Sequence, residues 1–199
     1  MRLFVAAEIP ELVRGRLAAC QARLRDLPLP VRWTRAEGIH LTLFFLGETP
    51  VDRLAGIEAA VAEVAGASAG FRLEARGVGT FPERGRPRIL VFRIGGDLDA
   101  ASRLKRALDA ALGALGFRPD ERPFHPHLTL GRTKDGPAGD WRSGIARERE
   151  AEGGSFDVDH VVLFESQPGP GGSQYRAVRE FPLRPAGEAS SGGPRGAAC

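Results

Sequence analysis

The tetrapeptide His-Leu-Thr-Leu occurs twice in the chain, as His40–Leu43 within GIHLTLFFLG and as His127–Leu130 within FHPHLTLGR. Each copy is short, apolar at alternate positions and followed by glycine, which reads as a strand. Alternate side chains of a strand share a face. His40 and Thr42 therefore point one way, with Leu41, Leu43 and Phe45 the other; His127 and Thr129 likewise oppose Leu128 and Leu130. The leucine faces are suited to a helix layer, and the His/Thr faces are left to line a cleft. Two such strands in one chain call for two similar supports.

The rest of the chain supplies them in the same order. RLFVAAEI (2–9) reads as a strand. Pro10 opens a helix with Val13, Leu17, Cys20 and Leu24 on one face, and the proline-rich DLPLP closes it. After the first motif, 51–66 is expected as a helix with the stripe Leu54, Ile57, Val61 and Val64. Strands at 71–82 and 87–96 flank a Gly/Arg/Pro turn. The next helix, 98–115, is capped by Asp97 or Asp99 and carries Leu98, Ala101, Leu104, Leu108, Leu112 and Leu115, with Gly116 ending it. The second motif follows. Residues 133–153 are polar and glycine-rich with a short helix near Trp141, and 155–166 and 174–183 alternate as a closing hairpin around QPGPGGS.

Strand, helix and H-L-T-L strand thus recur in both halves. Frequent hairpins and the lack of parallel βαβ punctuation predict an α+β fold with antiparallel sheets. One domain over 1–184 and a disordered tail over 185–199 are expected.

Composition excludes several classes. Apolar residues make up 42% of 199, enough for a globular core. No apolar run approaches the roughly 20 residues of a membrane span, and MRLFVAAEIPEL has no signal-peptide profile. Two cysteines, Cys20 and Cys199, give neither a disulfide framework nor a metal spacing, so a reducing cytoplasm is expected. The net charge of +3 is compatible with an anionic ligand.

An imidazole and a hydroxyl two residues apart on one face both reach a single phosphate: threonine donates to a phosphoryl oxygen, histidine gives or takes a proton. One His-x-Thr is ordinarily a half-buried pair. Two, face to face, bracket one point. Displacement at phosphorus needs that arrangement, because nucleophile and leaving group lie in line on opposite sides. The other two histidines carry less. His125 flanks the motif, with Pro126 between it and His127, and His160 reads as a surface or half-buried strand residue. A zinc site from His125, His127 and His160 would lack further ligands, so no metal is expected. Arg132 follows the second motif and is a candidate for phosphate pairing or base stacking. Strict alternation puts it opposite His127, unless Gly131 bends the strand. Phe45, Phe81 and Tyr175 are candidate stacking platforms, although core packing is the ordinary reading. Arg86 and Arg88 read as solvated charges and Cys20 as core. Gly77 and Gly79 are too sparse for a phosphate loop.

The paired motifs and their flanks resemble the two-histidine (2H) phosphoesterases, within them the RNA 2′,3′-cyclic phosphodiesterases also called 2′-5′ RNA ligases. RLFVAAEIP, VRWTRAEGIHLTLFFLGE, GVGTFP with PRILVF, and FHPHLTLGR stand in the family's order over about residues 1 to 183. The resemblance implies a bilobal fold with pseudo-twofold symmetry and an active-site cleft between the lobes. It implies cofactor-free, metal-independent hydrolysis of a 2′,3′-cyclic phosphate to a 2′-phosphate. His40 would be the proton donor to the departing 3′ oxygen and His127 the acceptor that activates water. Thr42 and Thr129 would hold the phosphoryl oxygens. RNA ends or small nucleotides are the implied substrates of a monomer. Two alternatives remain beside it: 2′-5′ ligation of tRNA halves by the same histidines, and an RNA- or nucleotide-binding module with little chemistry.

Overall fold

The computed structural model describes residues 1–83, 85–134, 141–169 and 172–186. The elements run β1 (Arg2–Ala7), α1 (Glu11–Arg25), β2 (Val31–Trp33), β3 (Leu41–Glu48), α2 (Leu54–Ala67), β4 (Phe71–Phe81), β5 (Ile89–Gly96), α3 (Leu98–Ala114), β6 (His127–Thr133), α4 (Trp141–Arg147), β7 (Glu152–Val158), β8 (His160–Gly169) and β9 (Gly172–Pro182). Most of the expected tail, 187–199, lies outside the described residues, as does 135–140.

The expected antiparallel sheets are one sheet of nine strands, in the order β7-β4-β5-β6-β3-β1-β8-β9, with β2 beside β6. The two motif strands are its central neighbours, and their antiparallel register holds one residue pair, Leu41 opposite Leu128. Outward from that pair the halves match. β3 is followed by β1, β8 and β9, and β6 by β5, β4 and β7. The units β1-α1-β3 and β5-α3-β6 are the repeat read from the sequence. Each half-sheet, however, draws its outer strands from elsewhere in the chain. The expected strand 155–166 is accordingly two: Asp159 divides β7, which pairs with β4, from β8, which pairs with β1.

All three long helices bury their stripes against one face of this sheet. α1 buries Val13, Leu17, Cys20, Gln21 and Leu24; α2 buries Ile57, Val61, Val64 and Ala65; α3 buries Ala101, Leu104, Leu108 and Leu112. Asp97 caps α3, its carboxylate accepting from the Ala100 N–H at 2.9 Å. The expected stripes overreach at the helix starts: Leu98 is exposed and Leu54 only half-buried. Leu41, Leu43, Leu128 and Leu130 all join this core. Among the described residues, the opposite face carries a small separate cluster, Phe4, Ala6, Val162 and Phe164. That open face holds the two His/Thr pairs.

Candidate active site

Both motif strands are bulged, and one bulge on each decides what joins the histidines. On β3, Thr42 pairs with Ala6 but Phe45 pairs with Phe4, so β3 spends an extra residue between them. Leu43 and Phe44 are therefore both buried, and Phe45 turns to the face of Thr42, where it is 62% exposed. This corrects the alternation reading, which placed Phe45 with the leucines. β6 does the same. Thr129 pairs with Val91 and Arg132 with Ile89, with the register shift between Val91 and Leu90. Val91 and Ile89 share a face, so Arg132 lies on the side of His127 and Thr129. The bend anticipated at Gly131 is real.

The second bulge is built by neighbours. Beyond Leu128, β6 changes partner from β3 to β2, with Trp33 opposite Gly131. A Cβ at Gly131 would stand 2.4 Å from the Val31 side chain, so only glycine fits there. The Leu130 carbonyl accepts from the Thr34 N–H at 2.9 Å and from Gln21 Nε2 at 2.8 Å. Gln21 Nε2 also donates to the Thr34 carbonyl at 2.9 Å. A buried helix glutamine thus gives the bulge carbonyl a second donor in the core.

Both imidazoles are held alike. His127 Nδ1 lies 2.7 Å from the His125 carbonyl, and His40 donates to the Gly38 carbonyl. In each case the acceptor sits two residues before the histidine. Fixing Nδ1–H this way leaves Nε2 of His127 as the reactive nitrogen. His40 packs on Phe4 (ring centroids 4.8 Å apart, stacked) and meets the Tyr175 ring edge-on at 5.1 Å. His127 meets Phe81 edge-on at 5.1 Å, and His125 stacks on Phe81 at 6.0 Å. Neither threonine hydroxyl has a hydrogen-bond partner among the described residues. Both are free to donate to a bound oxyanion.

Desolvation, and secondarily the neighbouring His127, pushes the His40 pKa down to about 4 against the Gly38 carbonyl's opposing pull. Burial likewise lowers His127, with Arg132, His125 and Arg122 adding to the effect. The free site therefore favours two neutral imidazoles at pH 7. A bound phosphodiester anion favours the charged form and raises both. The expected result is a bell-shaped kcat/KM profile, which reports the free enzyme, centred below pH 6.5. The kcat profile should be centred at higher pH. Coincident profiles centred at or above neutrality would contradict this electrostatic reading.

The remaining candidates divide. Phe45 and Tyr175, 62% and 36% exposed, face solvent rather than the core, and Phe81 is half-buried. His160 is half-buried beside Asp159 (2.6 Å) and Glu8 (3.6 Å), on a different strand from the His-Pro-His segment. Among the described residues no group of three or more His, Cys, Asp or Glu is placed to hold a metal ion. Cys20 is wholly buried; its thiol lies 3.4 Å from the Glu148 carboxylate, which Arg23 clamps at 2.6 and 2.7 Å. No helix among the described residues is long and apolar enough to cross a membrane. Sequence reasoning missed Phe4 beneath His40, Gln21 and Arg93. Phe4 has the period-2 signal that would place it with Ala6, but only the register shows which face that is.

The 2′-5′ RNA ligase superfamily profile matches residues 9–170. An RNA 2′,3′-cyclic phosphodiesterase of Geobacillus stearothermophilus is 38% identical over 170 residues, 82% of this chain; the chain spans only 52% of that relative's length. One of Aeropyrum pernix is 31% identical over 83% of this chain and 94% of its own. The crystal structure of a Thermus thermophilus protein, 30% identical, superposes with a TM-score of 0.78 over 94% of this chain and 100% of its own. With the paired motif strands at the centre of one curled antiparallel sheet, the chain belongs to the 2′-5′ RNA ligase superfamily of two-histidine phosphoesterases.

Proposed function

We propose that the chain hydrolyses the 2′,3′-cyclic phosphate of an RNA end or nucleotide to a 2′-phosphate. The observation that carries this is the central strand pair: two imidazoles, each hydrogen-bonded to a backbone carbonyl, on antiparallel neighbours that meet at Leu41 and Leu128. His127 Nε2 takes a proton from water as the oxygen attacks phosphorus. The P–O3′ bond breaks, and His40 Nε2 gives its proton to the departing 3′ oxygen. Thr42 and Thr129 donate to the phosphoryl oxygens, and Arg132 offers charge beside His127. Phe45 and Tyr175 form an aromatic surface on the His40 side for a base. The relatives named as RNA 2′,3′-cyclic phosphodiesterases support this substrate class. The acid–base work is complete without a metal ion, in a cytoplasmic monomer.

The test is incubation with a 2′,3′-cyclic mononucleotide in excess EDTA, followed by identification of the product. The expected product is the 2′-monophosphate at an undiminished rate. A 3′-monophosphate would reverse the scissile bond, and loss of activity restored by a divalent ion would overturn metal independence. The same groups, with a 5′-hydroxyl in place of water, would join a cyclic phosphate end through a 2′-5′ linkage: the 5′ oxygen attacks phosphorus, gives its proton to His127, and the P–O3′ bond breaks. The superfamily's description favours keeping this second reading. Adding a 5′-hydroxyl oligoribonucleotide to the assay reports it as a longer product.

A further inference from the structure

Arg93 stands directly opposite His127 in the β5–β6 register. Antiparallel partners share a face, so its side chain rises from the open face beside the reacting group. It does not point at His127. Its guanidinium lies across Gly79 of the next strand: a Cβ at Gly79 would stand 2.7 Å from Nε and 2.9 Å from Cζ and Nη2. Gly79 is in ordinary strand conformation, without a positive φ. Its lack of a side chain is thus what gives the guanidinium a bed. Gly79 is buried while Arg93 remains exposed. Among the described residues, no carboxylate or carbonyl pairs with this guanidinium. The other arginine beside His127, Arg132, lies on the far side of Thr129.

We propose that Arg93 binds the internucleotide phosphodiester on the 5′ side of the terminal nucleotide, so that the site prefers RNA ends to mononucleotides. This rests on the hydrolytic reading above. A guanidinium bedded on β4 lies two strand spacings from β6, about 10 Å, within one nucleotide's reach of a phosphate held by His127 and Thr129. Arginine's planar fork matches a phosphodiester's two free oxygens. The halves of the open face also differ in kind. The His40 half is aromatic, with Phe4, Phe45, Phe164 and Tyr175, and suits a base. The His127 half has Phe81 against its histidines but also carries Arg93 and Arg132, and suits backbone.

The experiment compares wild type with Arg93→Gln in two arms. In the first, kcat/KM is measured on adenosine 2′,3′-cyclic phosphate and on the dinucleotide ApA ending in a 2′,3′-cyclic phosphate. Arg93→Gln should lower the dinucleotide value about ten- to a hundredfold, the worth of a charged hydrogen bond, and leave the mononucleotide value unchanged. Arg93→Lys, which keeps the charge without the fork, should fall between. In the second arm, adenosine 2′-monophosphate and adenosine 2′,5′-bisphosphate are titrated without turnover. Wild type should bind the bisphosphate more tightly, and Arg93→Gln should bind both alike. Equal losses on both substrates, or none on either, would overturn the assignment while leaving hydrolysis intact. A wild type that discriminates the bisphosphate through Arg93 but cleaves neither cyclic substrate would sink hydrolysis and keep the site.

Discussion

His40→Ala and His127→Ala are each expected to lower kcat by about 10²–10⁴-fold, the usual worth of a positioned acid or base. The double variant should lose far less than the product of the two, because the imidazoles act on one displacement as a unit. A substrate whose leaving group is better than a ribose oxygen separates them. It needs little protonation, so it should restore His40→Ala toward wild type and leave His127→Ala slow. Rescue of His127→Ala instead would exchange the donor and acceptor. The roughly symmetric anchoring of the two rings makes this experiment necessary. Each imidazole is held by the carbonyl two residues back, and each ring sits against a phenylalanine. What breaks the symmetry is their surroundings: His40 lies in the aromatic half, and His127 has Arg132 nearby. Activity of both variants equal to wild type would remove the enzyme reading altogether.

The parts legible in the sequence were those written in local periodicity. The stripe Val13, Leu17, Cys20 and Leu24 fixes α1 to within a residue, and Asp97 marks the start of α3. The duplicated tetrapeptide identified the central strands and the chemistry their shared faces carry. What escaped depends on long-range register. β2 is three residues between Pro30 and Thr34, too short to show any period, and exists because β6 needs an edge partner past Leu128. The segment 155–166 alternates smoothly across Asp159, so nothing local announces that its two parts serve opposite halves of the sheet. Arg93 is one of many arginines in the sequence, and only the ladder sets it opposite His127.

Leu43→Ala is expected to destabilise the fold by about 2–5 kcal/mol, the usual range for emptying a fully buried leucine site, since Leu43 is 1% exposed. Phe45→Ala, two residues on, is expected to leave the melting temperature nearly unchanged, because Phe45 is 62% exposed. Its effect should fall instead on KM for nucleotide substrates, through the loss of a stacking surface worth about 1–3 kcal/mol per base. An unbroken strand forbids this contrast: positions 43 and 45 would share a face, and both substitutions would either open the core or spare it. The bulge permits it by spending one extra residue between the Ala6 and Phe4 partners. Thermal denaturation of the two variants therefore tests the register itself. Two large losses would restore strict alternation, return Phe45 to the core and remove the aromatic surface beside His40. A large loss at Leu43 with none at Phe45 would mean that the strand which buries its leucines in the core also turns an aromatic ring toward the substrate.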